Sequence, residues 1–127
     1  MNFHIITQEK YLRYFNSNKK CSLSDPEMEE FLNDMITLCE VDPPTQSPTE
    51  IILNIKDRLG CNDNLMHYIH RIVKSDLYLT ELELFSLLWY VSCRNPLSYE
   101  DSMYLQFANE GVIGQLIKRL LCISNGN

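Results

Sequence analysis

Thr80-Glu81-Leu82-Glu83-Leu84-Phe85-Ser86-Leu87-Leu88-Trp89-Tyr90-Val91-Ser92-Cys93 decides the fold. Thr80 and Glu83 have capping-box spacing, in which a hydroxyl and a carboxylate satisfy each other's backbone N–H groups at a helix start. From Glu81 to Cys93, Leu82, Leu84, Phe85, Leu87, Leu88, Trp89 and Val91 occupy nearly every side of the predicted helix. A helix apolar all round belongs in the middle of an all-α domain. Its apolar run, Leu82 to Val91, contains Glu83 and Ser86 and is far short of the ~20 residues of a membrane span. Phe85, Leu88 and Trp89 are therefore core rather than a cofactor box.

Upstream, Ser24-Asp25-Pro26-Glu27 combines an N-cap, an early proline and a capping-box glutamate. Met28, Phe31, Leu32, Met35, Leu38 and Cys39 then share one helical face until Asp42-Pro43-Pro44. Ser47-Pro48-Thr49-Glu50 repeats the start signal, and Ile51, Ile52, Ile55 and Leu59 run on to Gly60, a C′ glycine. Asn62 or Asp63 caps a third helix carrying Leu65, Met66, Ile69, Ile72 and Val73. Downstream, Pro96 and Ser98 open a helix running to about Asn109, and Gly111 separates it from a last one containing Val112, Ile113, Leu116, Ile117, Leu120 and Leu121. An N-terminal helix from about Thr7 to Phe15 and a polar link, Asn16 to Lys20, complete the reading.

The segment Glu27-Met28-Glu29-Glu30-Phe31 with Cys39 parallels Glu81-Leu82-Glu83-Leu84-Phe85 with Cys93 at a constant offset. Leu65, Ile69, Arg71, Ile72 and Val73 likewise parallel Ile113, Ile117, Arg119, Leu120 and Leu121. A three-helix unit of roughly 50 residues thus occurs about twice. The expected architecture is one all-α domain over residues 1–127, a short right-handed α-solenoid (armadillo- or HEAT-like) of six to seven helices. Residues 1–23 form the N-terminal helix and polar link, 24–123 the two units, and 124–127 a frayed tail.

Composition narrows the function. The 127 residues are 45% hydrophobic and 22% charged, enough for a core that needs neither metal nor disulfide. Four glycines and five prolines exclude a turn-rich β sandwich or a collagenous chain. A net charge of −6 and a pI near 4.9 work against nucleic-acid or anionic-membrane binding. No targeting segment is visible at the N-terminus. Cys21, Cys39, Cys61, Cys93 and Cys122 are odd in number with no CxxC pair, which points to a reducing, cytoplasmic protein. Cys39, Cys93 and Cys122 are placed on apolar helix faces as small hydrophobes. His67 and His70, with Asp63 a turn earlier, lack a converging ligand set, so they are read as surface or cap-adjacent histidines and no metal or cofactor is expected. No phosphate-binding glycine loop or nucleophile elbow is present.

The stretch 84–93, followed by Phe107-Ala108-Asn109-Glu110-Gly111-Val112-Ile113-Gly114-Gln115-Leu116-Ile117-Lys118-Arg119-Leu120-Leu121, resembles an armadillo repeat junction. Val91-Ser92-Cys93-Arg94-Asn95-Pro96-Leu97-Ser98-Tyr99, with His67-Tyr68-Ile69 upstream, is similar to the GTPase-binding and armadillo region of diaphanous-type formins. Tyr99 or Tyr104 stands where that family has Trp, and about one extra helical turn precedes Phe107. The resemblance covers about Leu65 to Leu121. It implies a non-enzymatic protein-binding module recognising a small Rho-type GTPase through Asn95 and Arg94 at the end of the third helix. The solvent-facing residues of that helix face, Tyr90 and the acidic Glu29, Glu30 and Asp34, complete the predicted partner-binding set. The alternative is an acidic intracellular inhibitor, of immunity or viral-modulator type, that neutralises a basic protein. An unpaired solenoid end favours a homodimer or a neighbouring domain.

Overall fold

The computed structural model describes residues 1–60, 65–75, 77–93 and 98–124, the side chains of 65–67, 93 and 98–102 excepted. An N-terminal 3₁₀ turn (Phe3–Ile6) precedes α1 (Glu9–Phe15), α2 (Pro26–Val41), α3 (Pro48–Leu59), α4 (Leu65–Lys74), α5 (Glu81–Cys93), α6 (Ser98–Asn109) and α7 (Val112–Ser124). Among the described residues the chain is all-helical, without strands.

The all-round apolar helix α5 is the centre of the molecule. It packs most extensively against α3 and α7 and also touches α2 and α6. Leu84, Phe85, Leu87, Leu88 and Val91 are buried, each worth about 1.5–3 kcal/mol against exposure. Ser86 is buried among them because its hydroxyl donates to the Leu82 carbonyl at 2.7 Å, satisfying it within the helix. The start of α5 is the expected capping box: Thr80 N donates to Glu83 Oε1 at 2.9 Å, and Glu83 N to Thr80 Oγ1 at 3.2 Å.

Other boundaries follow their local chemistry with differences in detail. Gly60 ends α3 at φ +61°, the left-handed conformation that favours glycine. α2 begins at Pro26 behind Asp25, but Asp25 makes no side-chain cap bond. Its carboxylate is engaged instead by Ser22 N at 3.0 Å and the Tyr14 phenol at 2.6 Å. The N-terminal helix expected from Thr7 starts at Glu9, because the buried Thr7 hydroxyl donates to Phe3 O at 3.1 Å and closes the 3₁₀ turn. The caps Asn62 and Asp63, Pro96 and the tail beyond Ser124 lie outside the described residues.

The two helix pairs that the repeat makes equivalent, α2 with α5 and α4 with α7, are each in contact. The 3₁₀ turn and α1 both pack on α2 and α7, so the N-terminal segment joins these two helices. Arg119 of α7 ties down the α4–α5 link, donating to Ile72 O at 3.3 Å and Leu77 O at 2.6 Å.

Candidate interaction surface

α2 supplies the predicted acidic residues, and most of them work inside the molecule. The Tyr11 phenol of α1 donates to Asp34 Oδ2 at 2.5 Å, and Lys10 donates to Glu30 Oε2 at 2.7 Å. The Lys10 ammonium also sits 5.1 Å from the Tyr11 ring centroid. Burial first, then the Asp34 bond, pushes the Tyr11 phenol well up; the Glu30 bond raises Lys10. Glu27 and Glu29 lie in the first turn, where the helix dipole favours negative charge. The acidic group therefore docks α1 onto α2 and stabilises the start of α2.

The side of α2 turned to solvent is a separate stripe. Glu29, Asn33, Ile36 and Glu40 are exposed at spacings of three and four, with Glu30, Thr37 and Val41 beside them. Ile36 is 48% and Val41 78% exposed, so two large apolar side chains stand among carboxylates. Both fall off the buried face formed by Met28, Phe31, Met35 and Leu38. That offset is visible in the sequence and is the signal that could have identified them. A groove of about 680 Å³ between the 3₁₀ turn and the end of α2 extends this surface. It is lined by Ile5, Gln8, Thr37, Leu38, Val41 and Asp42, with Asn2 and His4. Nothing in the spacing of the N-terminal residues announced it, because it depends on how the turn folds back on α2.

The described members of the predicted partner-binding set are placed on two helices that touch each other. Glu29 and Glu30 are exposed and Asp34 half-buried on α2, whereas Tyr90 is half-buried on α5. Arg94 and Asn95 lie outside the described residues. From Glu81 to Ser92 every residue of α5 is buried or half-buried, so this helix presents less accessible surface than the resemblance implies.

His70 pairs through Nε2 with Glu110 and rests 5.8 Å from the Phe107 ring centroid, a contact joining α4 to the α6–α7 corner. The His67 side chain lies outside the described residues. Of the cysteines placed on apolar faces, Cys39 is half-buried but Cys122 is exposed. Cys122 follows Leu120 by two positions, which turns it away from the Val112, Ile113, Leu116, Ile117 and Leu120 face. Among the described thiols the buried one is Cys21, whose backbone N–H donates to Asn109 Oδ1 at 2.6 Å; Cys61 and the Cys93 side chain lie outside the described residues. Among the described residues no three His, Cys, Asp or Glu side chains gather to hold a metal, and no helix is long and apolar enough to cross a membrane.

No protein-family model, curated protein or solved structure matches the chain.

Proposed function

We propose that the chain is a non-enzymatic, cytoplasmic protein-binding module whose contact surface is the outward side of α2, and that its partner is a basic protein. The observation that carries this reading is the stripe of Glu29, Ile36 and Glu40 beside Val41, exposed apolar groups set among carboxylates on one helix. Apolar groups supply contact area, and a ring of like charge selects an oppositely charged partner and speeds encounter. The net charge of −6 adds to that attraction.

The test is capture from cell lysate on immobilised wild type, Glu29→Lys and Ile36→Asp chains, each verified as helical by circular dichroism. A specific basic protein retained by wild type, eluted by salt and lost from both variants is the expected result. Capture indifferent to both substitutions overturns the reading.

A second reading keeps the short right-handed solenoid and a small Rho-type GTPase at the end of α5, through Asn95, Arg94 and Tyr90. Its support is the contact of α2 with α5 and of α4 with α7, the pairs that stacked units would bring together. Retention of a GTPase only in its GTP-loaded state, lost on Arg94→Ala with Asn95→Ala, is its expected signature. Retention independent of the nucleotide contradicts it.

A further inference from the structure

α3 and α5 begin with the same signal, and the structure closes it only in α5. There the Thr80 hydroxyl and the Glu83 carboxylate accept each other's backbone N–H groups. Ser47 and Glu50 have the same spacing at the start of α3, yet Ser47 makes no side-chain cap bond. Among the described residues the Ser47 hydroxyl and the N–H groups of Thr49 and Glu50 have no partner, while Ile51 N donates to Ser47 O at 3.1 Å.

Ser47 is also open to a large visitor. Thr45, Gln46 and Ser47 are exposed on the link between α2 and α3, and Thr49 and Glu50 are exposed beyond it. Pro48 follows Ser47 at the first position of α3. Proline has no N–H and holds the residue before it in extended backbone. Ser47 has that form, at φ −57° and ψ 130°, so its hydroxyl is presented as an enzyme acting on an extended segment requires. Residues 39–55 contain no Lys or Arg, which leaves Pro48 as the feature that would mark Ser47.

We infer that Ser47 is a phosphorylation site for a proline-directed protein kinase, and that the phosphate completes the open cap of α3. Ser47 Oγ attacks the γ-phosphorus of the kinase's nucleoside triphosphate. The Oγ–P bond forms as the bond from that phosphorus to the nucleoside diphosphate breaks, and the hydroxyl proton passes to a base of the kinase. The product carries a charge of about −1.5 to −2 and three strong acceptor oxygens. These oxygens take the N–H groups of Thr49 and Glu50, and the helix dipole favours their charge at this end. The Glu50 carboxylate opposes part of that gain. α3 packs on the central helix α5, so a firmer start of α3 is felt in the stability of the whole domain. The inference does not depend on the α2 surface proposed above.

The test incubates the folded chain with ATP and a purified proline-directed kinase, beside Ser47→Ala and a peptide covering residues 42–52. Circular dichroism first verifies that Ser47→Ala is helical; with no cap bond to lose, its urea midpoint should equal that of wild type. Peptide mass spectrometry is expected to find one phosphate on wild type, at Ser47, and none on the variant. The phosphorylated chain is expected to unfold at a higher urea concentration than the unmodified one. Its second phosphate ionisation, read by phosphorus NMR, should fall below the ordinary value of about 6, because the amides of α3 favour the dianion. Phosphate at Thr45 or Thr49 instead of Ser47 overturns the assignment. Modification of the peptide but not of the folded chain overturns it too, as does failure on both. An unchanged or lower urea midpoint after phosphorylation contradicts the completed cap.

Discussion

The phenol of Tyr104, in α6, donates a buried hydrogen bond of 3.0 Å to the main-chain carbonyl of Met28, in the first turn of α2. This bond crosses the two predicted units and fixes α2, the proposed contact helix, against the second of them. Tyr104→Phe keeps the ring and removes the donor. The expected cost is about 1 kcal/mol, near the net worth of one intramolecular hydrogen bond. Urea denaturation followed by circular dichroism checks it; an unchanged midpoint would mean that the bond contributes nothing.

Gly114 sits inside α7 where the end of α1 comes closest. A Cβ there would lie 2.6 Å from Asn16 Oδ1 and 2.9 Å from the Phe15 carbonyl oxygen. Helix propensity alone would make Gly114→Ala stabilising by about 1 kcal/mol. The backbone contact reverses the sign, and a loss of about 1–3 kcal/mol is expected. Adding Asn16→Gly should recover only part of it, because the Phe15 carbonyl remains.

The Tyr14–Asp25 bond makes stability depend on pH at both ends of the range. The Tyr14 phenol, then the Ser22 N–H, hold the Asp25 carboxyl below the usual carboxylate range. That contribution is present above about pH 4 and disappears as the pH falls through the lowered value. Burial first, then Asp25 and Cys21, push the Tyr14 phenol upward. Its contribution is present below about pH 10 and is lost as the pH rises beyond it. The stability gap between wild type and Tyr14→Phe should therefore be widest from about pH 5 to 9 and narrow on either side. Denaturation at a series of pH values measures the gap, and a flat one would contradict the linkage.

Thiol labelling should separate the cysteines by environment. Cys122 is exposed and Cys21 buried. Burial, with a smaller effect of Glu40, pushes the half-buried Cys39 thiol up and reduces its reactive thiolate. Under native conditions the expected order with iodoacetamide is Cys122, then Cys39, then Cys21, followed by peptide mass spectrometry. Faster modification of Cys39 than of Cys122 would contradict the packing of α2 and α7.

The helices were legible where the signal was local. The Thr80–Glu83 capping box, Gly60 as a helix stop and the all-round apolarity of 82–91 each depend on residues within a turn or two, and each corresponds to an observed feature. The 3₁₀ turn was not legible, because Thr7 closes it with its own hydroxyl where the sequence suggested a helix start. The acidic residues of α2 were found as a group, but their division was not. Whether Glu30 and Asp34 are solvated or bonded depends on Lys10 and Tyr11 arriving from α1, a contact no spacing within α2 encodes. The accessible surface shifted for the same reason: α5 was given a solvent-facing side, and its neighbours cover or half-cover every residue from Glu81 to Ser92.

Carboxyl footprinting of the chain, alone and in complex with the protein it captures, tests the α2 surface most directly. A carbodiimide–amine label reads each exposed carboxylate by mass spectrometry. Protection of Glu29 and Glu40 in the complex, with Glu50 and Asp57 of α3 labelled as in the free chain, is the expected result. Unchanged labelling of Glu29 and Glu40, with protection elsewhere, would contradict the assignment of α2 as the contact helix.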